Sequence, residues 1–292
     1  MTSCLYQPFP MQGTNRGQIW RYAPEYRRPR HFHAEPELNL VVAGHGQFGA
    51  GDAVFSAAVR DLIYWPAGLE HELLEASHDF DLYVVALTPE LSERVLGDQN
   101  TRALGGPLRV SLSVSQFEPL VALSSIRVGE FGAAVVENHV AELWRAAHAT
   151  RSLINDGNAL AQRILASLLA EPELSRSARA ARVRAHPTDV SRHFHRATGL
   201  TLSAHRTRLR LLRLIQIMDS SPTTLLGAAL AAGFGSYSQC HRAFQQVLAC
   251  SPRQFLDGEF RREMLDAFAP WSPAQAFAAH SAPAGAGDPF QR

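Results

Sequence analysis

The chain has 292 residues, 46% of them apolar and 19% charged, a balance that fits a globular protein of two domains and excludes a disordered chain. No apolar run approaches the roughly 18 residues of a membrane span, the N-terminus lacks the basic start and apolar core of a secretory signal, and Cys4, Cys240 and Cys250 share no metal or redox spacing, so a cytoplasmic protein with no membrane partner and reduced thiols is expected. The net charge of +1 hides a division: residues 1–171 hold 13 Arg against 19 Asp or Glu (net −6) and residues 172–292 hold 15 against 8 (net +7), so the C-terminal half is expected to seek an anionic partner.

From Gln18 the chain reads as short strands: residues 17–23, 38–43, the vicinity of Phe48, 53–58, 61–65 and 80–87, separated by Gly, Pro and Asp. Such spacing predicts a small β-barrel or sandwich. Within it stand His31-x-His33, then Glu37 and Gly44, and later Pro66-x-Gly68 followed by His71. The two-residue period of a strand puts His31 and His33 on one face, and three imidazoles with one carboxylate suit Zn, Fe, Mn or Ni. These two segments resemble the two motifs of the cupin barrel, and the resemblance implies that His31, His33, Glu37 and His71 match the metal ligands of cupin enzymes. Glu25 and Arg60 stand where the motifs usually begin with glycine, so the flanking turns are expected to differ. Two readings of the four residues stand: hydrogen-bonding pocket residues without metal, preferred for a sensor, or a divalent metal site. In the strand 61–65, Leu62 and Tyr64 share one face while Ile63 and Trp65 share the other. Either aromatic residue is a candidate cavity wall. Trp65 and His71 are the candidate ligand contacts, set against plain core packing for the tryptophan.

Residues 97–107 form a turn-rich break. Helices are predicted over 113–128, 130–150 and 160–169, the second with an apolar stripe of Val136, Val140, Leu143 and Ala147. That stripe either packs on its own barrel or, as the family resemblance carried by the C-terminal half implies, couples the barrel to that half, with a homodimer interface as one outcome. Residues 171–177 read as a linker.

In the C-terminal half a helix over 175–183 carries Arg176, Arg179 and Arg182, leaving Leu174, Ala178, Ala181 and Ala185 as its apolar stripe. A second helix comes next with Val190-Ser191-Arg192-His193-Phe194, closed by Gly199, and a long helix covers 202–218. The pattern then repeats. An Ala-rich helix reaches Gly233-Phe234, Ser236 has the character of an N-cap, and the next helix carries Tyr237, Ser238, Gln239, His241 and Arg242 before Ser251-Pro252 restarts the chain. The glycine permits a tight turn, Phe234 fills the corner, and Ala243, Phe244 and Val247 point inward, which is helix-turn-helix grammar. Arg192 and Arg242 hold equivalent places 50 residues apart. This half resembles the DNA-binding domain of the AraC/XylS family of transcriptional regulators, whose two helix-turn-helix units end in Gly-Phe, Phe-x-Arg-x-Phe and Gly-x-Ser-Pro patterns. Cys240, Ala228 and Ala249 are departures from it, which predicts a looser second unit.

The resemblance implies that one helix of each unit enters the major groove, where Arg pairs with guanine and Gln with adenine. The candidate DNA contacts are Thr188, Asp189, Ser191 and Arg192 in the first unit and Tyr237, Ser238, Gln239 and Arg242 in the second. Thr188 and Ser191 serve equally as phosphate contacts, and Asp189 as a helix N-terminal charge. His193, His195, His205 and His241 are expected at the surface or in packing.

The expected fold class is therefore mixed α and β in two domains, an N-terminal cupin-like β-barrel with following helices and a C-terminal all-α double helix-turn-helix. The expected boundaries are 1–110 for the barrel, 111–171 for coupling helices, 172–267 for the DNA-binding domain and 268–292 for a disordered tail. The expected function is a sequence-specific, DNA-binding transcriptional regulator, not an enzyme, sensing a small molecule in the barrel and binding double-stranded DNA. The alternatives are a metal-dependent cupin enzyme with an appended helical module and a DNA-binding regulator whose barrel only dimerises.

Overall fold

Alternating apolar and polar residues fold the N-terminal part into short antiparallel strands in the computed structural model, which describes residues 6–9, 11, 14–22, 30–96, 109–125, 133–152 and 159–266. These are Gly17–Tyr22 (β1), Glu37–Ala43 (β2), His45–Ala50 (β3), Ala53–Ala58 (β4), Asp61–Trp65 (β5), His71–Ala76 (β6), Asp81–Leu87 (β7) and Arg109–Ser111 (β8). One sheet runs β1-β7-β2-β5-β8 and the other β4-β3-β6, with an extra antiparallel bridge between His31 and His71. Ile63 and Trp65 turn inward with Trp20, Phe48, Phe80 and Val84, while Leu62 and Tyr64 turn outward with Leu38, Leu40, Tyr83 and Val85. Of the two aromatic residues on β5, Trp65 is thus the inward one. The turn before β5 is kept: Arg60 adopts φ 75, a left-handed conformation that glycine enters more readily.

Three elements were not expected, β6, β8 and a helix after β7. β6, HELLEA, carries two glutamates on a strand of mostly half-buried residues, so its alternation is weak. The helix Pro89–Leu96 (α1) has a legible start, since Thr88 Oγ1 accepts from Leu91 N at 3.3 Å and proline comes directly after the cap. β8 pairs with β5, so a barrel boundary at residue 110 cuts through a strand of the sheet. The 97–107 break, Glu25 and the 268–292 tail lie outside the described residues.

The outward sheet face is covered by Val114–Ser124 (α2) and Ala133–Ser152 (α3). Val136, Val140, Leu143 and Ala147 are all buried there beside Leu38, Tyr64 and Val85, each larger apolar side chain contributing about 1.5–3 kcal/mol. The stripe is spent on its own barrel, so it does not offer a dimer interface. Ala159–Ala170 (α4) was expected among the coupling helices. Its Ile164, Leu165 and Leu168 share one core both with Trp20, Phe80 and Val84 of the barrel and with Val183, Val190 and Phe194 of the first DNA-binding unit.

That unit comprises Arg176–Arg182 (α5), Pro187–Thr198 (α6) and Leu202–Ser220 (α7), the helix joining it to the second. The expected α5 stripe is displaced: Ala178 and Ala181 are exposed, and Arg179, Ala180 and Val183 face inward. The second unit comprises Leu225–Ala231 (α8), Tyr237–Leu248 (α9), Pro252–Leu256 (α10) and Gly258–Asp266 (α11). Caps close these helices as the sequence implies, with Ser236 accepting from Gln239 N and Ser251 from Gln254 N, both at 3.2 Å.

Ala249 ends α9 at φ 58 where a glycine would be unstrained. Relief of that strain, offset by the wider freedom of glycine in the unfolded chain, is expected to make Ala249→Gly more stable by roughly 0.5–1 kcal/mol. A thermal melt should show it as a rise of about 1–3 °C, and a fall would mean the Ala249 methyl packs favourably.

Candidate sensor site and DNA-reading helices

The barrel brings the four predicted residues together. His31, His33, Glu37 and His71 are 1–5% exposed, and one potential ligand atom from each lies within 4.8 Å of the others. Glu37 Oε2 stands 3.1 Å from His33 Nε2 and 3.2 Å from His71 Nε2. The far nitrogens are fixed by backbone: His33 Nδ1 faces Glu35 O at 2.6 Å, and His71 Nδ1 faces Leu69 O at 2.9 Å. A carbonyl only accepts, so each Nδ1 carries hydrogen, and a neutral ring then aims the Nε2 lone pair at a carboxylate. Either a second proton on each ring or a cation among them resolves that arrangement. Backbone-oriented histidines of this kind fit a divalent ion, the carbonyls being the outer partners that set the tautomer.

The other carboxylate oxygen is held too. Asn39 Nδ2 donates to Glu37 Oε1 at 2.6 Å, Trp65 Nε1 donates to Asn39 Oδ1 at 2.6 Å, and the Trp65 ring stacks on His71 at 4.4 Å. Burial alone would raise the Glu37 pKa, but where the His33 and His71 Nε2 atoms carry hydrogen, their bonds and charge outweigh it and hold the carboxyl well below the usual range. Trp65 is 0% exposed and wedged among Phe48, Phe55 and His71, so its place is behind the ligand set, where it orients Asn39 and His71.

The barrel site reaches the C-terminal half through the residue beside His71. Glu70 is 1% exposed and pairs with both Arg30 and Arg208, the latter from α7. Arg208 also lies over the Phe32 ring at 5.8 Å, and burial, with neighbouring Arg30, lowers its pKa to about 10, leaving it charged at neutral pH. His205, one turn before it, is fully buried and pushed down to about 3 by that burial and by Arg208, a packing role as expected. Asp52 N donates to Gly199 O at 3.1 Å, and a Cβ on Gly199 would sit 1.9 Å from Ala50 O, so only glycine allows this approach. Tyr6 touches Phe32 and Phe255, each at 6.0 Å, which ties the second unit to the barrel as well. Sequence reasoning found none of these contacts.

The two helix-turn-helix units repeat each other. Val190, Phe194 and Thr198 are buried in α6, as are Cys240, Phe244 and Leu248 in α9. Thr188 and Arg192 are exposed on α6, with Asp189 and Ser191 half-buried; Arg192 Nη2 donates to Asp189 Oδ1 at 2.7 Å. On α9, Ser238, Gln239 and Arg242 are exposed and Tyr237 is half-buried against His241. Gln239 Oε1 accepts from Gly235 N at 2.8 Å, so this side chain also caps its helix. Arg242 forms no ion pair among the described residues. No helix of the described residues is long and apolar enough to cross a membrane.

Two family models match this chain, an AraC-like ligand binding domain over residues 16–125 and a helix-turn-helix domain over residues 179–258. No curated protein matches it. Among solved structures, ToxT from Vibrio cholerae is 12% identical, covers 82% of this chain and 97% of its own, and has a TM-score of 0.40. The AraC-like transcriptional activator CuxR is 13% identical over 66% of this chain and 72% of its own, with a TM-score of 0.32. Oxalate decarboxylase of Bacillus subtilis is 24% identical over 27% of this chain and 22% of its own, with a TM-score of 0.22.

Proposed function

The chain belongs to the AraC family of ligand-sensing, DNA-binding transcriptional regulators, and from that premise we propose that the state of its barrel site sets how the two reading helices are held for DNA. The observation that carries this reading is the adjacency of His71, in the ligand set, to Glu70, whose buried carboxylate grips Arg208 on the helix that joins the two units. A shift of His71 on ligation moves Glu70 with it, and α7 cannot move in turn without altering the relation of α6 to α9. A ligand acts this way only through unequal affinity for the two arrangements.

The donors His31, His33, Glu37 and His71 would hold a divalent cation such as Zn, Mn, Fe or Ni, which would supply a fixed positive charge and a coordination point for an anionic or carbonyl-bearing effector. In this reading Trp65 and Asn39 orient the set, and the barrel is a sensor rather than an enzyme. Arg192 and Arg242 read bases, and Thr188, Asp189, Ser191, Tyr237, Ser238 and Gln239 supply the remaining groove and phosphate contacts.

The test uses full-length protein stripped with a chelator. Titration with Zn, Mn or Ni is expected to raise the melting temperature and to change DNA affinity, and His33→Ala is expected to lose both effects. Glu70→Gln should keep the thermal response while its DNA affinity no longer tracks the metal. A wild-type protein whose melting is indifferent to all three ions would remove the metal. A Glu70→Gln protein whose DNA affinity still responds would remove the coupling route.

A further inference from the structure

A groove of about 570 Å3 runs between the end of α4, the start of α5, the exposed stripe of α6 and the first turns of α7. Four arginines line it, Arg176, Arg179, Arg192 and Arg206, with no aspartate or glutamate among its lining residues. The acids nearby are already engaged: Asp189 with Arg192, Glu171 with Arg182 and Glu173 with Arg210. Arg179 is 2% exposed and donates only to neutral acceptors, Ser167 Oγ at 2.9 Å and backbone oxygens that include Glu171 O at 2.8 Å. A buried guanidinium balanced by dipoles, with Arg176 and Arg206 beside it in no ion pair among the described residues, makes a region of positive potential that attracts an anion.

We propose that this groove binds a small organic anion, a carboxylate on an apolar body, and that the bound molecule competes with DNA. The apolar part of the claim rests on Leu168, Leu174 and Leu202, which share the lining with the arginines. A phosphodiester is polar on every side and would leave the half-buried Leu174 and Leu202 facing water, whereas an amphipathic carboxylate covers them and pairs its two oxygens with a guanidinium fork. Competition is a matter of position. Thr188, Ser191, Arg192 and His195 line the groove from one face of α6, and the first three are among the four candidate DNA contacts of the first unit. The site lies in the DNA-binding half, so it stands independently of the metal reading of the barrel.

The experiment measures binding of decanoate, decanol and inorganic phosphate to the full-length protein by calorimetry, and the effect of each on affinity for a bound DNA duplex. Decanoate is expected to bind and to weaken DNA binding, with decanol and phosphate each at least about tenfold weaker, because each lacks one half of the recognition. Arg206→Gln and, separately, Leu202→Gln are expected to reduce decanoate binding about tenfold while leaving the melting temperature close to wild type. Equal binding of decanol, equal binding of phosphate, or decanoate affinity unchanged in both variants would overturn the proposal. Loss of DNA affinity in Arg206→Gln with no decanoate binding to the wild type would also overturn it and make the groove a cradle for the DNA backbone.

Discussion

Glu70→Ala is expected to cost about 3 kcal/mol of stability and to loosen the DNA-binding half from the barrel. Each Glu70 carboxylate oxygen meets one guanidinium, Arg30 on one side and Arg208 on the other. Arg208 is 8% exposed, so removing its counterion leaves a buried charge against Phe32 with no solvent to replace the lost partner. Arg30 is half-exposed and rehydrates, which places the effect at the low end of the range for broken buried pairs. Urea unfolding of the full chain measures the loss, and hydrogen exchange along α7 locates it. The double variant Glu70→Ala, Arg208→Met should recover much of the stability, because both charges then leave together. A single-variant loss below about 1 kcal/mol would show that water reaches this pair and that it behaves as a surface bridge.

Features were legible in the sequence to the degree that their signals are local. The ligand set was readable because His31, His33 and Glu37 sit on one stretch, and His71 opens the strand that pairs beside them. The reading helices were readable because caps, glycines and the Val190, Phe194 and Cys240, Phe244 anchors repeat at a fixed spacing. Glu70 and Arg208 are 138 residues apart, and a glutamate after a turn reads as a surface acid until the fold buries it. Arg179 misled for a related reason. Periodicity counts arginine as polar, so the α5 stripe was drawn through Ala178 and Ala181; the carbonyls at the end of α4 and the Ser167 hydroxyl supply acceptors that let a guanidinium turn inward instead. Gly199 carried two messages, of which one was visible. Its place as the cap of α6 is local, whereas its backbone contact with Asp52 exists only once the barrel is docked.

Arg242→Ala is expected to weaken binding to the preferred duplex by about 1–3 kcal/mol and to relax one base position, if Arg242 pairs with a guanine edge. Its side chain is exposed, makes no ion pair among the described residues and projects from α9 beside Ser238 and Gln239. Arg192→Ala should cost less, although the residue holds the same place in the first unit. Arg192 is already bonded to Asp189, and releasing an exposed pair of this kind consumes roughly 0.2–1 kcal/mol of the stabilisation that the base contact returns. Asp189→Ala removes that competitor and is therefore expected to leave affinity equal to wild type or slightly above it, unless Asp189 itself accepts from a cytosine. Selection from a random duplex pool, run with wild type and each variant, separates these cases. Blurring of one half of the selected site in Arg242→Ala and of the other half in Arg192→Ala assigns one reading helix to each half-site. Uniformly weaker binding with an unchanged preference, together with a salt slope reduced by about 1, would make either arginine a phosphate contact, and base readout in that unit would then fall to its remaining exposed side chains.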